Sequence, residues 1–238
     1  MHGDHVYGLP GLLASIGLAG RSSGIELYGP TPLKNFIDAC LYNSSSRLAY
    51  SLKFYKVENA ANKKQILYED SDLEVKVAPL MHRIPSFAYR VNQKTRPGRF
   101  NIDKAKSLNI PPGPRYAALQ RGEELLLDDG RFFSGGDFCG PPRPGVSMVY
   151  CTDTVYTDSA IEISRNADLL IHESTYAFKE SQMAYERGHS TATMAAQIAA
   201  KAKVNQLILT HFSPRYTPGN ETSPNDLLNE AKAIFPNT

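Results

Sequence analysis

The stretch SMVYCTDT, residues 147–154, is an apolar run that stops at a polar cluster containing Asp153. Two further stretches repeat this design, DLLIHEST at residues 168–175 and QLILTHFS at residues 206–213. Short apolar runs of this kind are typical of buried strands. Since ligand sites in open α/β sheets gather at the carboxyl ends of strands, we expect Asp153, His172, Glu173 and His211 to share one site.

The rest of the chain alternates strand-like and helix-like stretches, which favours a layered α/β architecture. Alternating patterns predict half-buried strands, in antiparallel or mixed pairing, at residues 51–57, 73–80 and 86–91, with a further strand at residues 25–29. A buried helix ending at Gly20, an amphipathic helix at residues 32–43 and a small-residue helix at residues 190–203 are also predicted. Ser190 or Thr191 is the expected N-cap of the last helix.

Composition limits the class of protein. The 238 residues are 42% hydrophobic and 21% charged, which suffices for a sizeable core. We expect no membrane span and no signal peptide, because no long apolar run occurs and Met1 is followed by His-Gly-Asp. Three widely spaced cysteines argue against a disulfide framework and for a reducing compartment, so a cytoplasmic location is predicted.

A basic segment interrupts the pattern. Residues 90–121 contain a single acid, Asp103, and carry a formal charge of +7 from Arg90, Lys94, Arg96, Arg99, Lys104, Lys106, Arg115 and Arg121. From residue 93 to about residue 114 the segment is rich in Pro and Gly and poor in large apolar residues. We therefore expect a protruding arm or a long loop.

The six histidines fall at predicted strand ends or junctions: His2, His5, His82, His172, His189 and His211. The stretch HGDH, residues 2–5, presents two imidazoles and the Asp4 carboxylate from one tight turn. Neutral imidazole and carboxylate form the ligand set that zinc prefers, and that manganese or iron accept less strongly. The pattern indicates a metal site.

These residues carry a resemblance to a known family. HGDH is similar to the last four letters of the H-x-H-x-D-H signature of the metallo-β-lactamase fold. Six segments resemble, in order, the ribonuclease Z family of endonucleases, which trim the 3′ trailer from precursor tRNA: residues 2–20, 80–91, 109–116, 168–176, 188–202 and 209–216. The match runs over nearly the whole chain.

The resemblance implies a metallo-β-lactamase-like four-layer αββα sandwich. It implies one domain over residues 1–238, with an inserted basic Pro/Gly arm at about residues 92–125. It also implies two zinc ions, which would activate a water molecule for attack on the phosphodiester. One ion would be bound by His2 and His82 and the other by Asp4, His5 and His211, with Asp153 bridging both.

Further roles follow from the same resemblance. Asp4 would accept a proton during catalysis, and His189 would face the scissile phosphate and stabilise charge or protonate the leaving oxygen. His172 and Glu173 correspond to the family's HEAT loop, in which Ser174 replaces the usual Ala, and would position substrate or orient ligands. The partners implied are precursor tRNA, held in part by the basic arm, and a second copy of the chain in a homodimer.

Two other classes of function share these features. A metallo-β-lactamase-fold phosphodiesterase or hydrolase of a small ester would use the same ligands, but it gives no reason for the basic arm. A degenerate relative that only binds RNA would keep the fold without activity. Cleavage of precursor tRNA, compared with cleavage of a small chromogenic phosphodiester, separates these alternatives.

The start of the chain bears on the second alternative. In H-x-H-x-D-H a histidine stands two residues before the second one, whereas His2 follows only Met1. The resemblance also implies several strands ahead of this motif. We therefore expect a misplaced start or a truncation, one metal site short of a ligand, and poor activity unless an upstream extension ending in His is restored.

Overall fold

The structure, a computed structural model, describes residues 1–57, 65–217 and 219–238. Its strands are β1 (Ile25–Gly29), β2 (Leu52–Lys56), β3 (Gln65–Glu69), β4 (Leu73–Leu80), β5 (Ser86–Gln93), β6 (Glu124–Leu126), β7 (Phe132–Ser134), β8 (Ser147–Cys151), β9 (Leu169–Glu173) and β10 (Gln206–Thr210). Its α-helices are α1 (Gly3–Val6), α2 (Gly8–Leu18), α3 (Thr31–Asn43), α4 (Ile102–Ser107), α5 (Pro114–Gln120), α6 (Asp158–Ser164), α7 (Ser181–Arg187), α8 (Ala192–Ala202) and α9 (Pro224–Lys232). Every strand and longer helix predicted from the sequence is present.

The strands form three sheets. The largest has six strands in the order β10-β9-β8-β5-β4-β3, and β1 pairs with β2 in parallel. Strands β8, β9 and β10 are parallel neighbours, with Cys151 opposite His172 and His172 opposite Leu209. Strands β6 and β7 form an antiparallel pair. The mixed sheet confirms the predicted α/β class.

The chain divides into two compact units, of which the first comprises Met1–Leu67, Lys76–Arg90 and Met148–Thr238. Three hydrophobic clusters separate its layers. Helices α2 and α3 pack on β1 and β2 through residues such as Leu13 and Ile37. Val57, Val77 and Phe87 form a second cluster, to which Tyr28 of β1 and Tyr89 of β5 also belong. The third and largest lies between the six-stranded sheet and helices α6, α8 and α9. The order helix, sheet, sheet, helix is the predicted four-layer arrangement.

The composition of helix α8 allows it to pack closely on the six-stranded sheet. Its six buried residues are five alanines and Ile198, so the helix backbone can lie against the sheet with little side-chain volume between them. Of the two predicted caps, Thr191 is the N-cap, and its side chain accepts a hydrogen bond of 3.2 Å from the Met194 amide.

Helix α2 differs from its prediction as a buried helix. It is almost wholly apolar, but Leu13 is its single buried residue, and Leu12 and Leu18 are 54% and 90% exposed. Apolar composition predicts a surface that favours burial, but it does not say what covers that surface.

The second unit comprises Tyr68–Val75 and Val91–Ser147. Within residues 93–114, where the sequence predicts a protruding arm or long loop, the structure has α4 and the start of α5. The β6-β7 hairpin and a 3₁₀ turn at Gly135–Phe138 follow. A small core holds them together, made of Ala105, Ile110, Leu119 and Phe138. Two of these four residues, Leu119 and Phe138, lie beyond the Pro/Gly-rich stretch, so that stretch alone showed no core.

Among the described residues, no helix is both long enough and apolar enough to cross a membrane.

Candidate metal centre

Three of the four polar residues predicted to meet at the strand ends lie together, and His172 does not join them. Because β8, β9 and β10 run parallel as neighbours, their carboxyl ends meet at one edge of the sheet. Asp153 follows β8, Glu173 ends β9 and His211 follows β10. His211 has a φ of 60°, a left-handed conformation that is uncommon for residues other than glycine and concentrates at functional sites.

The HGDH turn reaches the same place from the amino terminus. His2 is the N-cap of α1, and Asp4 and His5 lie in its single turn. The ring of Tyr7, 73% exposed, lies against Gly3 on the outside of this turn. The short helix therefore directs both histidines and Asp4 toward the strand ends.

Asp153 stands at the centre of the cluster. Its Oδ1 lies 3.1 Å from His5 Nε2 and 3.4 Å from His211 Nε2. Its Oδ2 lies 3.7 Å from His82 Nε2 and 3.8 Å from His2 Nδ1. Each oxygen of one buried carboxylate thus faces a different pair of imidazoles.

The charge on Asp153 is favoured despite its burial. Burial acts to raise the pKa of this carboxyl group, but the surrounding imidazoles, His211 foremost, outweigh that effect and lower it below its ordinary value. Asp153 is therefore ionised at neutral pH and available as a ligand.

The side chains form two three-residue groups whose candidate ligand atoms lie within 4.8 Å of one another. One group is His2, His82 and Asp153, and the other is Asp4, His5 and His211. The structure thus brings together all six residues predicted as ligands, in the two sets that the resemblance implies. A third, overlapping group contains Asp153, His189 and His211. Asp4 is the most exposed of these residues, with 64% of its side chain accessible.

His82 is prepared to coordinate through one nitrogen. Its Nδ1 donates a 2.7 Å hydrogen bond to the Gly188 carbonyl. Its Nε2 is buried and has no hydrogen-bond partner among the described residues. Burial also lowers the pKa of His82 and so favours the neutral ring. A buried lone pair without a partner costs free energy, and a bound metal ion would remove that cost. A histidine that binds a metal through one nitrogen commonly donates the N–H of the other to a carbonyl, as His82 does here.

Glu173 organises a second set of contacts. It is fully buried, and its Oε1 accepts hydrogen bonds from the Thr154 amide at 3.0 Å and from His189 Nδ1 at 2.9 Å. Its Oε2 accepts from the amide and the hydroxyl of Thr175, at 3.0 and 2.7 Å. Four donors surround one carboxylate, so it needs no solvent.

The same network orients two histidines. Thr175 Oγ1 donates to Glu173 and accepts from His211 Nδ1 at 2.8 Å, which leaves His211 Nε2 facing the cluster. For His189, burial would lower the pKa, but the hydrogen bond and charge of Glu173 outweigh it and raise the pKa above its usual range. Glu173 therefore orients His189 directly and His211 through Thr175, and its predicted role of positioning substrate or orienting ligands stays a prediction.

His172, predicted with Glu173 to position substrate or orient ligands, does not join the cluster. Its side chain is fully buried, and its Nδ1 donates to the Glu173 backbone carbonyl at 2.7 Å. Successive residues of a strand point to opposite faces, so Glu173 can face the site only if His172 faces away. A direct contact of His172 with substrate is excluded on this geometry.

Sequence reasoning missed two contributors. Thr175 links Glu173 to His211, and its signal was a hydroxyl two residues after the acid in HEST. The Gly188 carbonyl holds His82, but no side chain marks a backbone acceptor in a sequence.

Comparison with known proteins places this chain in a family. A model of the beta-lactamase superfamily domain matches residues 141–212. A protein of Prochlorococcus marinus (strain NATL2A) named Ribonuclease Z is 85% identical over 238 residues, which is 100% of this chain and 76% of that protein. The chain belongs to the ribonuclease Z family. A second member, from Prochlorococcus marinus (strain MIT 9313), is 59% identical over 238 residues and is covered to 75% of its length.

Solved structures agree with the family assignment and the fold. The short form of human tRNase Z superposes with a TM-score of 0.62 at 28% identity, covering 91% of this chain and 71% of that one. YhfI from Bacillus subtilis, described as a metallo-beta-lactamase fold protein, gives a TM-score of 0.56 at 18% identity, covering 98% of this chain and 68% of that one. The resemblance to ribonuclease Z and the metallo-β-lactamase fold are both confirmed.

The Glu173 network generates a prediction about stability. In a Glu173→Gln variant the amide N–H groups would face at least one backbone N–H, so a buried donor would lose its acceptor. We expect the free energy of unfolding in urea to fall by roughly 2 to 4 kcal/mol. Glu162→Gln, which removes a surface pair with Arg165, is the control and should change stability far less. Equal stability of the Glu173→Gln variant and the wild-type protein would contradict the network.

Proposed function

We propose that this chain is a zinc-dependent endoribonuclease that removes the 3′ trailer of precursor tRNA and leaves a 3′-hydroxyl on the tRNA. The observation that supports it is the Asp153 carboxylate, whose two oxygens face two separate groups of imidazoles in a member of the ribonuclease Z family. Two metal positions that share one carboxylate suit the hydrolysis of a phosphodiester.

The donor set fits zinc. His2 and His82 would hold one ion, Asp4, His5 and His211 the other, and Asp153 both, all through imidazole nitrogen or carboxylate oxygen. The buried, unpartnered Nε2 of His82 supports this assignment, because it gains a partner when an ion is bound. Bound zinc would supply Lewis-acid stabilisation of phosphate charge and would make water more acidic.

The chain's own residues supply the proton transfers. Asp4 is mostly exposed and lies 3.5 Å from both His5 and His211, so it can accept the proton of the attacking water and release it to solvent. As the bond between phosphorus and O3′ breaks, His189 donates a proton to O3′. The raised pKa of His189, caused by Glu173, favours the protonated ring that this step requires.

The shared carboxylate gives a test of the metal assignment. Asp153→Asn should lose metal from both groups and lower precursor-tRNA cleavage by at least ~100-fold. His82→Ala should lose metal from one group and keep the other, because Asp4, His5 and His211 remain together with the shared Asp153. Metal per chain is measured by elemental analysis beside cleavage, with circular dichroism as the control for folding. Wild-type metal content and turnover in Asp153→Asn would refute the assignment.

The net charge of the second unit differs from the charge of the basic segment in the sequence, and this bears on RNA binding. The unit contains nine Lys and Arg against ten Asp and Glu, a net charge of −1. Arg90, counted in the basic segment, lies in the first unit, where it donates to the carbonyls of Ile163 and Arg165. The +7 of residues 90–121 therefore does not describe the charge of the folded unit.

Ion pairs further reduce the number of cations that are free of a carboxylate. Four cations of the unit pair with carboxylates at 2.6–3.1 Å: Lys94 with Glu69, Arg115 with Asp128, Arg121 with Glu123 and Arg131 with Asp129. The other five are exposed and have no carboxylate within 4 Å in the described part of the chain: Arg96, Arg99, Lys104, Lys106 and Arg143. These five are the cations available to phosphate.

Arg96 and Arg143 stand directly opposite each other. Each donates its amide to the other's carbonyl at 2.9 Å, so their side chains emerge side by side. Like charges in this position repel, and a bound phosphate would relieve the repulsion. We propose that this pair contributes to binding of precursor tRNA.

The arginine pair can be tested against paired cations. Arg96→Gln with Arg143→Gln should raise KM for precursor tRNA about tenfold and make its salt dependence shallower by about 1 to 2 units of the logarithmic slope. Hydrolysis of a small chromogenic phosphodiester should stay unchanged. Arg121→Gln with Arg131→Gln removes the same charge from cations already paired and serves as the control. An equal effect of both double variants would show that the location of the cations does not matter, and would contradict a specific role for Arg96 and Arg143.

We also propose that the chain forms a homodimer through the exposed face of α2. The support is its apolar surface, on which Leu12 and Leu18 lie uncovered in the described structure. Soluble proteins rarely leave such faces exposed without a partner.

Sedimentation equilibrium tests the dimer. The wild-type protein should sediment as a dimer, and Leu12→Glu with Leu18→Glu as a monomer, because two carboxylates in an apolar interface are costly to desolvate. Leu126→Glu, at a residue 67% exposed in the second unit, is the control and should stay dimeric. A monomeric wild-type protein at micromolar concentration would disprove this proposal.

A further inference from the structure

A groove of about 360 Å³ lies beside the metal centre in the first unit. One wall is the segment from Met81 to Arg83, which contains the candidate ligand His82. The other wall is the face of α7 that carries Gln182, Tyr185 and Glu186, residues spaced three and four apart. No step of the proposed reaction uses these side chains apart from His82.

The backbone holds both walls in place. The Met81 carbonyl accepts a 2.9 Å hydrogen bond from the Val155 amide, and the Met81 amide donates to Thr154 Oγ1 at 3.2 Å. Helix α7 ends at Arg187, and its C-cap Gly188 has a left-handed φ of 78°. A Cβ at Gly188 would lie 2.7 Å from His82 Nδ1 and 3.5 Å from Arg83 Cγ. The end of α7 therefore packs closely on the side chains of His82 and Arg83, and the groove is preformed.

The lining combines apolar and cationic surface. Met81 is 59% exposed and Tyr185 is 67% exposed, so neither side chain serves the core. Arg83 is exposed, and no carboxylate lies within 4 Å of it in the parts of the chain that the structure describes. Glu186, which also faces the groove, accepts a 2.7 Å hydrogen bond from Gln182. An uncovered aromatic ring near an unpaired guanidinium suits a nucleotide, because the ring can stack on a base and the cation can contact a phosphate.

The location of the groove indicates which nucleotide of the substrate it would bind. His82 lies in one wall, and Gly188, at the end of the other, immediately precedes His189, the proposed proton donor. A nucleotide in the groove would therefore be next to the scissile bond. We infer that the groove binds the nucleotide adjoining the scissile phosphate, with its base on Tyr185 and Met81 and a phosphate at Arg83. This inference rests on the proposed function.

Substitutions combined with altered substrates test the groove. Tyr185→Ala should lower kcat/KM for precursor tRNA by about tenfold or more, the usual size of a lost base stack, and Tyr185→Phe should restore most of it. Arg83→Gln should also lower kcat/KM. Hydrolysis of a small chromogenic phosphodiester should stay at the wild-type rate in both Tyr185 variants. Tyr42→Ala, at an 84% exposed tyrosine of α3, is the matched control.

Abasic substrates identify the nucleotide. Precursor tRNAs lacking one base, either just 5′ or just 3′ of the cleavage site, are cleaved by the wild-type and Tyr185→Ala proteins. We expect the Tyr185→Ala defect to disappear on one of the two, and that substrate shows which side the groove holds. A defect of equal size on all substrates and on the small diester would show a structural role and overturn the inference. So would full activity of Tyr185→Ala on intact precursor tRNA.

The same experiment separates this inference from the function beneath it. If the wild-type protein hydrolyses the small diester but leaves precursor tRNA intact, the proposed function fails and the groove inference falls with it. If the wild-type protein cleaves precursor tRNA and Tyr185→Ala matches it, the groove inference alone fails.

Discussion

A buried carboxylate that must remain charged determines much of this structure. Asp153 is almost fully removed from water, and an unpaired carboxylate there would be very costly. The compensation comes from distant parts of the chain: His5 from the first helix, His82 from the loop after β4 and His211 from the end of β10. The parallel strands and the HGDH turn have to be in register for that compensation to exist, so the fold and the site are specified together.

The parts predicted from the sequence are those that depend on local pattern. The apolar runs that end near Asp153, Glu173 and His211 predicted three strands whose carboxyl ends lie at one edge of the sheet. The six ligand candidates were found because their side chains are chemically distinctive. His172 was misplaced because strand alternation allows only one of two adjacent polar residues to face the site. Gly188 was missed because its contribution is a carbonyl oxygen, which every residue has.

The second unit was predicted less well, because its core and its ion pairs join residues that are distant in the sequence. Its basic stretch looked like a loop because the residues that complete its core, Leu119 and Phe138, come later in the chain. Its charge looked large for the same reason, since the partners Glu69 and Asp128 lie outside the segment that was counted. Charge available to RNA is a property of the folded surface, and five exposed cations describe it better than a sum along the sequence.

Gly188 links two sites that would otherwise be independent. Its carbonyl decides which nitrogen of His82 carries the proton, and its lack of a side chain lets α7 end against the same loop. A shift of α7 that widened or narrowed the groove would also move the acceptor that holds His82. A substitution that moves the end of α7 would therefore act at once on the proposed groove and on the proposed ligand His82.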